Sequence, residues 1–343
     1  MDRGVEHLFA ICYPGRLREE VGASGTRNFL VGPAKIIGWS QKRSARKHLR
    51  ELVGKEKPDI SVCHMSWAQI LFSRTVADFG PWIAHHHGPA DGTWLDWLAS
   101  RKKPDLIVSP SAHSSRTWQE KYRMPVSTLN YPVRQEFAIG CSANLDKVLA
   151  RRKFGLPQQK VLILQCSRIE PWKGHDILLE ALEKIRGINE WHMVFAGSPQ
   201  KSLDRDFMRV LRQKCTESGL EDRITWLGDV RDVASLMAAC DIYCQANRGP
   251  EGFSLAFLEA AFSGLPIVTT AMGGAPEIVE GNGILIPSPD PVLFAETLGS
   301  LSTDPGLRKV QSEASKVIGQ SKGNPHTQVR EYEKLCLSVV KIK

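Results

Sequence analysis

The sequence predicts an α/β protein of two doubly wound units, each a parallel sheet covered by helices. Three observations predict it. Short apolar runs alternate with amphipathic stretches along most of the chain. Pro58-Asp59 and Pro104-Asp105 each sit just before a strand candidate, where helix stops belong. The alternation lapses once, at 131–150, where Tyr131-Pro132 breaks the pattern and no clear apolar period follows until Leu145. A length of 343 residues, at roughly 100–200 per domain, fits two domains.

In the N-terminal half the strand candidates are 7–12, 60–63, 82–86 and 106–108, with amphipathic stretches near 41–54 and 112–122. In the C-terminal half a strand at 161–166 is followed by a helix at 177–185 and a strand at 191–196. A helix at 204–218, a strand at 224–227 and a helix at 233–239 come next. The strand 241–245, the helix 254–262 and the strands 266–270 and 283–286 follow. Helical patterns at 291–301, 305–318 and 326–340 close the chain. The expected domains are 1–145 and 146–325, with a terminal helix over 326–343 packing back on the first. Sheets of this kind bind ligands outside the carboxyl ends of their strands. The expected site is therefore a cleft where two such units face each other.

Hydrophobic residues make up 42% and charged residues 24%, the balance of a soluble globular protein. The formal charge of +8 is uneven: residues 1–150 carry 21 Lys and Arg against 14 Asp and Glu. Lys42, Arg43, Arg46, Lys47 and Arg50 form one basic run, and Arg101-Lys102-Lys103 another. Such a face suits an anionic lipid, a phosphorylated substrate or nucleic acid, or is simply a solvated helix face. No aromatic interleaving of the nucleic-acid-binding kind accompanies it, so no nucleic-acid partner is expected. The eight cysteines show no C-x-x-C pair and read as free thiols of a reducing compartment. No charged-then-apolar signal opens the chain, and no apolar stretch approaches membrane-spanning length. The expectation is a cytoplasmic protein, at most peripheral to a membrane.

Three clusters can carry chemistry. The first is Pro250-Glu251-Gly252-Phe253-Ser254-Leu255 with Glu259 eight residues after Glu251. Gly252 permits close backbone approach, Ser254 is a good N-cap, and exposed amides at a helix N-terminus favour a phosphate. Two carboxylates beside such a pocket repel the phosphate itself, so they suit hydroxyl groups on either side of it. A helix cap with an unrelated surface Glu would give the same spacing. The second cluster is Arg168-Ile169-Glu170-Pro171-Trp172-Lys173-Gly174-His175, at the carboxyl end of the strand 161–166. Arg168 as a fork and Lys173 as a point charge could neutralise a diphosphate. Solvated charges on an ordinary loop are the alternative.

The third cluster is His85-His86-His87-Gly88, ending the strand candidate at 82–86. Successive strand residues point to opposite faces, so three in a row cannot ligate one ion, and no metal site is expected. His87 is the candidate for a hydrogen bond to a substrate hydroxyl or phosphate, against a purely structural histidine.

Taken together and in this order, these features resemble the family-4 glycosyltransferases of group 1. The resemblance runs from about residue 56 to 300. It rests on Cys166-Ser167-Arg168 through Lys173-Gly174-His175, Phe195-Ala196-Gly197, Leu227-Gly228-Asp229-Val230 and Ala239-Cys240-Asp241-Ile242. It continues through Glu251-Gly252-Phe253-Ser254-Leu255 with Glu259-Ala260, Gly264-Leu265-Pro266-Ile267-Val268 and Gly273-Gly274-Ala275-Pro276-Glu277, to Gly283. The resemblance implies the GT-B architecture of two facing Rossmann-like domains. It also implies a nucleotide-sugar donor, UDP- or GDP-linked, and retention of anomeric configuration without a bound metal or other cofactor.

By the same resemblance Arg168 and Lys173 bind the donor diphosphate, and Glu251 contacts the donor sugar. Glu259 contacts the ribose, and the backbone of Gly252, Phe253, Ser254 and Leu255 cradles the distal phosphate. Val230 lies near the base, and His87 contacts the sugar or its phosphate. The catalytic set is then Glu251, His87, Arg168 and Lys173. No carboxylate stands out as a covalent nucleophile. A front-face transfer to a hydroxyl acceptor is therefore expected, with the leaving diphosphate helping to deprotonate that hydroxyl.

One departure bears on activity. Family members begin with a strand and a Gly-rich loop, whereas residues 5–12 here resemble the family's second strand. The expectation is an N-terminal sheet lacking a central strand. A nucleotide-sugar-binding or regulatory homologue with impaired catalysis is the alternative. Other GT-B enzymes, an epimerase or a phosphorylase, are further alternatives.

Overall fold

The computed structural model describes residues 5–134, 136–137 and 146–340. The chain forms two compact units. The first comprises Met1–Ser109, Ser115–Thr128 and Glu333–Lys343, and the second Pro110–Ser114 and Leu129–Tyr332.

The first unit opens with β1 (Leu8–Ile11), α1 (Arg16–Ala23) and β2 (Arg27–Leu30), then α2 (Trp39–Glu56). There follow β3 (Ser61–His64), α3 (Met65–Ala77), β4 (Trp82–His85), α4 (Trp94–Ser100) and β5 (Leu106–Ser109). α5 (Ala112–Tyr122), begun in the second unit, and β6 (Ser127–Thr128) close the series. β1 and β2 pair in parallel as a sheet of two, while β3-β4-β5-β6 lie in sequence order as a parallel sheet of four. Sequential β-α-β crossovers build that order. One core joins both sheets: Cys12, Val31, Leu49 and Val53 pack with Cys63, Leu71, Trp82 and Ile107. α2 buries Ala45, Leu49 and Val53 at helical spacing and turns its basic residues outward. α4 begins with a capping box, Thr93 and Asp96 each accepting from the other's backbone N–H.

The second unit holds α6 (Lys147–Lys153), β7 (Val161–Cys166), α7 (His175–Lys184), β8 (Trp191–Ala196), α8 (Ser202–Glu217) and β9 (Ile224–Gly228). It continues through α9 (Val233–Ala239), β10 (Ile242–Gln245), α10 (Leu255–Phe262), β11 (Ile267–Thr270) and β12 (Gly283–Ile286). α11 (Pro291–Thr303), α12 (Pro305–Gly323) and the first half of α13 (Pro325–Val340) complete it. The sheet is parallel throughout, in the order β12-β11-β10-β7-β8-β9. Both faces are covered, and β7 shows why. Its Leu162 and Leu164 join a core with Tyr243 and Phe257, whereas Ile163 joins the opposite core with Leu178, Met193 and Phe294.

α6 begins inside the stretch that the sequence reads as a connector. Asp146 caps it, accepting from Val148 N at 2.8 Å. Buried Arg151 then ties it to the sheet, donating to Asp241 Oδ2 at 2.7 Å and to the carbonyl of Ala239 at 2.9 Å. The elements α1, β2, α3, α4 and β6 were not expected either. α3 is apolar on most sides, and α1 buries no residue at all, so neither shows the one-faced period that marks a helix in sequence.

In the first unit Ile37 is 89% and Trp39 69% exposed, and its strands fall in two sheets. The second unit has one six-stranded sheet between two cores. Thermal unfolding should therefore proceed in two steps, the first unit melting at the lower temperature. Calorimetry of the full chain checks this. A single transition with equal calorimetric and van't Hoff enthalpies would refute it.

Candidate functional site

The strand order of the second unit reverses between β7 and β10, which are neighbours although β8 and β9 lie between them in sequence. Loops leaving the carboxyl ends of two such strands diverge, opening a crevice at the switch point. Here those loops are 167–174 after β7 and 246–254 after β10. They are drawn tightly together at one place. Gly174 has φ 69°, and a Cβ there would meet the Ala246 carbonyl oxygen at 1.8 Å. Only glycine supplies both that conformation and that clearance. Arg248 N donates to the Trp172 carbonyl at 2.8 Å, and the Arg248 side chain pairs with Asp176 at 2.5 Å.

At this junction Lys173 Nζ donates to Glu251 Oε1 at 2.8 Å. Their side chains are only 8% and 20% exposed. The other oxygen of Glu251 accepts from Asn247 Nδ2 at 3.1 Å and from Gln245 Nε2 at 3.3 Å. The Gln245 amide also donates to Asn247 Oδ1 at 2.8 Å. Lys173 Nζ lies 4.0 Å from the centroid of the Trp172 ring. A buried pair of this kind is costly to break from one side, about 3–5 kcal/mol, because the remaining charge is left without its partner.

The segment after Glu251 turns into α10. Ser254 Oγ accepts from Phe257 N at 3.4 Å, the expected N-cap. Phe253 is buried and meets the Tyr131 ring edge-on at 5.8 Å, while Leu255 is exposed. Gly273 and Gly274 form the floor of the loop, where a Cβ would meet Glu251 O at 2.2 Å and Gly252 O at 2.5 Å respectively. The Gly252 carbonyl accepts from Ser111 Oγ at 2.5 Å and from Ser114 Oγ at 3.3 Å. Val230, half-buried after β9, packs against the core that holds Phe253.

Glu259 is buried inside α10, and Arg134 Nε donates to it at 3.2 Å. Burial raises the Glu259 carboxyl above its ordinary range, and Arg134 partly offsets this. Arg168 does not join the Lys173 pair. It is 56% exposed and reaches Glu170 Oε1 at 3.0 Å, whose other oxygen accepts from Trp172 Nε1 at 2.8 Å.

The structure thus brings Lys173 and Glu251 into contact and holds Arg168 and Glu259 by separate partners. Sequence reading gave no role to Gln245, Asn247, Glu170 or Arg134. The first two lie at the end of β10 and the start of the loop after it, where polarity next to an apolar run was the available signal. Arg134 lies in a segment without periodicity and left none.

His87 lies in the first unit, just beyond β4. Its Nε2 is 3.0 Å from His64 Nδ1, at the end of β3. Buried His85 stacks on His87 with centroids 4.7 Å apart, whereas His86 points the other way and stacks on Trp118 at 3.7 Å. Met65, next to His64, holds φ 69°, a conformation that costs a β-carbon-bearing residue about 1–3 kcal/mol.

Residues 146–317 match the family described as Glycosyl transferases group 1. Among curated relatives, a D-inositol 3-phosphate glycosyltransferase of Stackebrandtia nassauensis is 32% identical over 168 residues, which are 46% of this chain and 38% of the relative. A GDP-mannose-dependent monoacylated alpha-(1-6)-phosphatidylinositol monomannoside mannosyltransferase of Corynebacterium glutamicum is 27% identical over 181 residues, 50% of this chain and 45% of that protein. The match spans less than half the length of each. Among solved structures, Anabaena HepE in complex with UDP superposes with a TM-score of 0.83 at 19% identity, over 96% of this chain and 92% of that one.

Two buried histidines give the second unit a pH dependence. Burial lowers His175, enclosed by Phe195 and Phe207, to about 3, and nearby Lys173 adds to the effect. Burial, then Arg223 and Lys160, lower His192 to about 4. Their ordinary value is near 6.5, so between these limits the unfolded chain binds protons that the folded chain refuses. The stabilising contribution is complete above about pH 6.5 and is lost as pH falls toward 4. The melting temperature of the second unit should drop by several degrees from pH 7.5 to 5, and His175→Asn should flatten that slope. An equal melting temperature at both pH values would overturn the assignment.

Proposed function

Because the chain belongs to the glycosyl transferases group 1, with the GT-B fold, we propose that it transfers a hexosyl unit from a UDP- or GDP-sugar to a hydroxyl acceptor. The observation that carries this reading is the Lys173–Glu251 pair at the switch point, beside the N-terminus of α10. A cation, the amides of a helix N-terminus and a carboxylate within one loop junction suit a sugar diphosphate. The cation and amides take the phosphates, and the carboxylate takes sugar hydroxyls.

In the proposed mechanism the diphosphate leaves toward Arg168, Lys173 and the amides at Gly252, Phe253, Ser254 and Leu255. Their charge stabilises the developing anion. Glu251 orients the sugar, Glu259 the ribose, and Val230 lines the base. His87, in the first unit, is assigned to a substrate hydroxyl or phosphate on the family resemblance. Transfer is proposed to retain the anomeric configuration by a front-face path and to need neither a metal nor another cofactor.

One relative is named for D-inositol 3-phosphate, another for GDP-mannose and phosphatidylinositol monomannoside, and a neighbour is in complex with UDP, so calorimetry with UDP- and GDP-sugars decides between donors for this chain. A cytoplasmic site of action is proposed, with peripheral contact to an anionic membrane. Arg43, Arg46, Lys47, Arg50 and Arg74 support that contact by lining an open groove of about 300 Å³ on α2 and α3. No described helix is long and apolar enough to cross a membrane. A nucleotide-sugar-binding homologue without turnover is the second reading, favoured by the two separate sheets of the first unit. Donor hydrolysis or transfer by the purified protein separates the two.

Replacing Arg168 or Lys173 by Ala should weaken nucleotide-diphosphate binding by about 1.5–3 kcal/mol, the range for hydrogen bonds to charged groups. Unchanged affinity in both variants would sink the donor-site assignment. Glu251→Ala should mainly lower turnover, and Glu259→Ala should mainly weaken plain UDP or GDP. Equal losses of nucleotide affinity would contradict that division. Turnover should persist in EDTA; loss restored by magnesium or manganese would count against a metal-free mechanism.

A further inference from the structure

We propose that His64, His85 and His87 form a binding site for a divalent transition metal of the zinc type at the carboxyl ends of β3 and β4. The parallel register sets His64 directly beside His85 on neighbouring strands. His87 follows His85 by two residues, so the strand period returns it to the same side, and His86 is turned away onto Trp118. A row of three consecutive histidines cannot ligate one ion, but two of them with a third from the next strand can.

One ring nitrogen from each of the three lies within 4.8 Å of the others, and the His64–His87 pair is already at 3.0 Å. A tetrahedral zinc with bonds of about 2.0–2.1 Å needs donors roughly 3.3 Å apart. Binding requires the three ring nitrogens to draw in from within 4.8 Å to that spacing.

Three imidazoles suit zinc, copper or nickel better than magnesium or calcium, which prefer oxygen. His64 and His87 are exposed and His85 is buried, so an ion can enter from solvent. Three protein ligands leave a fourth position for water. The site goes beyond the donor-binding reading, which rests on the second unit. A metal here would occupy the His87 nitrogen assigned above to substrate, so it is expected to restrain transfer rather than drive it.

The test is titration of the full chain with zinc chloride by calorimetry. One equivalent should bind, and His64→Ala and His87→Ala should each weaken it at least tenfold, while His326→Ala should not. Circular dichroism confirms that the variants fold. If a variant is unstable, zinc-edge absorption spectroscopy of the unaltered protein reads the ligands directly, and imidazole nitrogen without sulfur is expected. Absence of zinc binding, affinity in both variants unchanged from the unaltered protein, or sulfur in the zinc shell would overturn the proposal. Donor binding is measured separately, so a failed metal site leaves the donor reading intact, and the reverse holds too.

Discussion

The second unit turns on a single charge pair, Lys173 with Glu251. Loop 167–174 leaves β7, loop 246–254 leaves β10, and each brings one partner to the junction. Lys173 is too enclosed to be solvated by water, so its charge requires a nearby carboxylate. Glu251 is itself fixed by Gln245 and Asn247, and Gln245 ends β10. The pair therefore inherits its position from the sheet. Gly174 serves the same end, since a side chain there would push the two loops apart, and Gly273 and Gly274 let the loop after β11 close under Glu251 and Gly252.

The sheet of the second unit was largely legible in the sequence, and the reason is physical. A parallel strand buried on both faces reads as a continuous apolar run, and 161–166, 191–196 and 266–270 stand out on those terms. In the first unit the signal was thinner. β1 and β2 are mostly exposed or half-buried, and α1 buries no residue, so periodicity had little to act on. The site divided along a different line. Glu251, Lys173 and Ser254 were visible because they sit in loops at element ends. Their supports were not visible, because Gln245, Asn247 and Arg134 act through the tertiary fold.

Strand parity was read correctly along the chain, and its consequence was drawn too narrowly. His86 cannot share a face with His85, and the structure agrees. Parity within one strand says nothing about the neighbour across the ladder. Parallel pairing brings His64 beside His85, and this is a long-range fact that no single-strand pattern contains. The left-handed conformation of Met65 marks the same spot. The chain bends into α3 directly after His64, and Met65, the first residue of the helix, carries the strain at that junction.

The two cations read as donor ligands are held in opposite ways, and this constrains how such a site can work. Arg168 is exposed and pairs with buried Glu170, which also accepts from Trp172 Nε1, so the guanidinium can turn to another anion while Glu170 keeps a donor. Lys173 is buried and paired with Glu251, so it cannot leave until another anion replaces the carboxylate. In the proposed reading a diphosphate does that. Its charge takes over Lys173 and releases one oxygen of Glu251, which then has an acceptor site open toward sugar hydroxyls. Glu251 would then engage the sugar only after the phosphate is seated. The ordering follows from burial alone, since an exposed lysine would hold carboxylate and phosphate by turns with no such linkage.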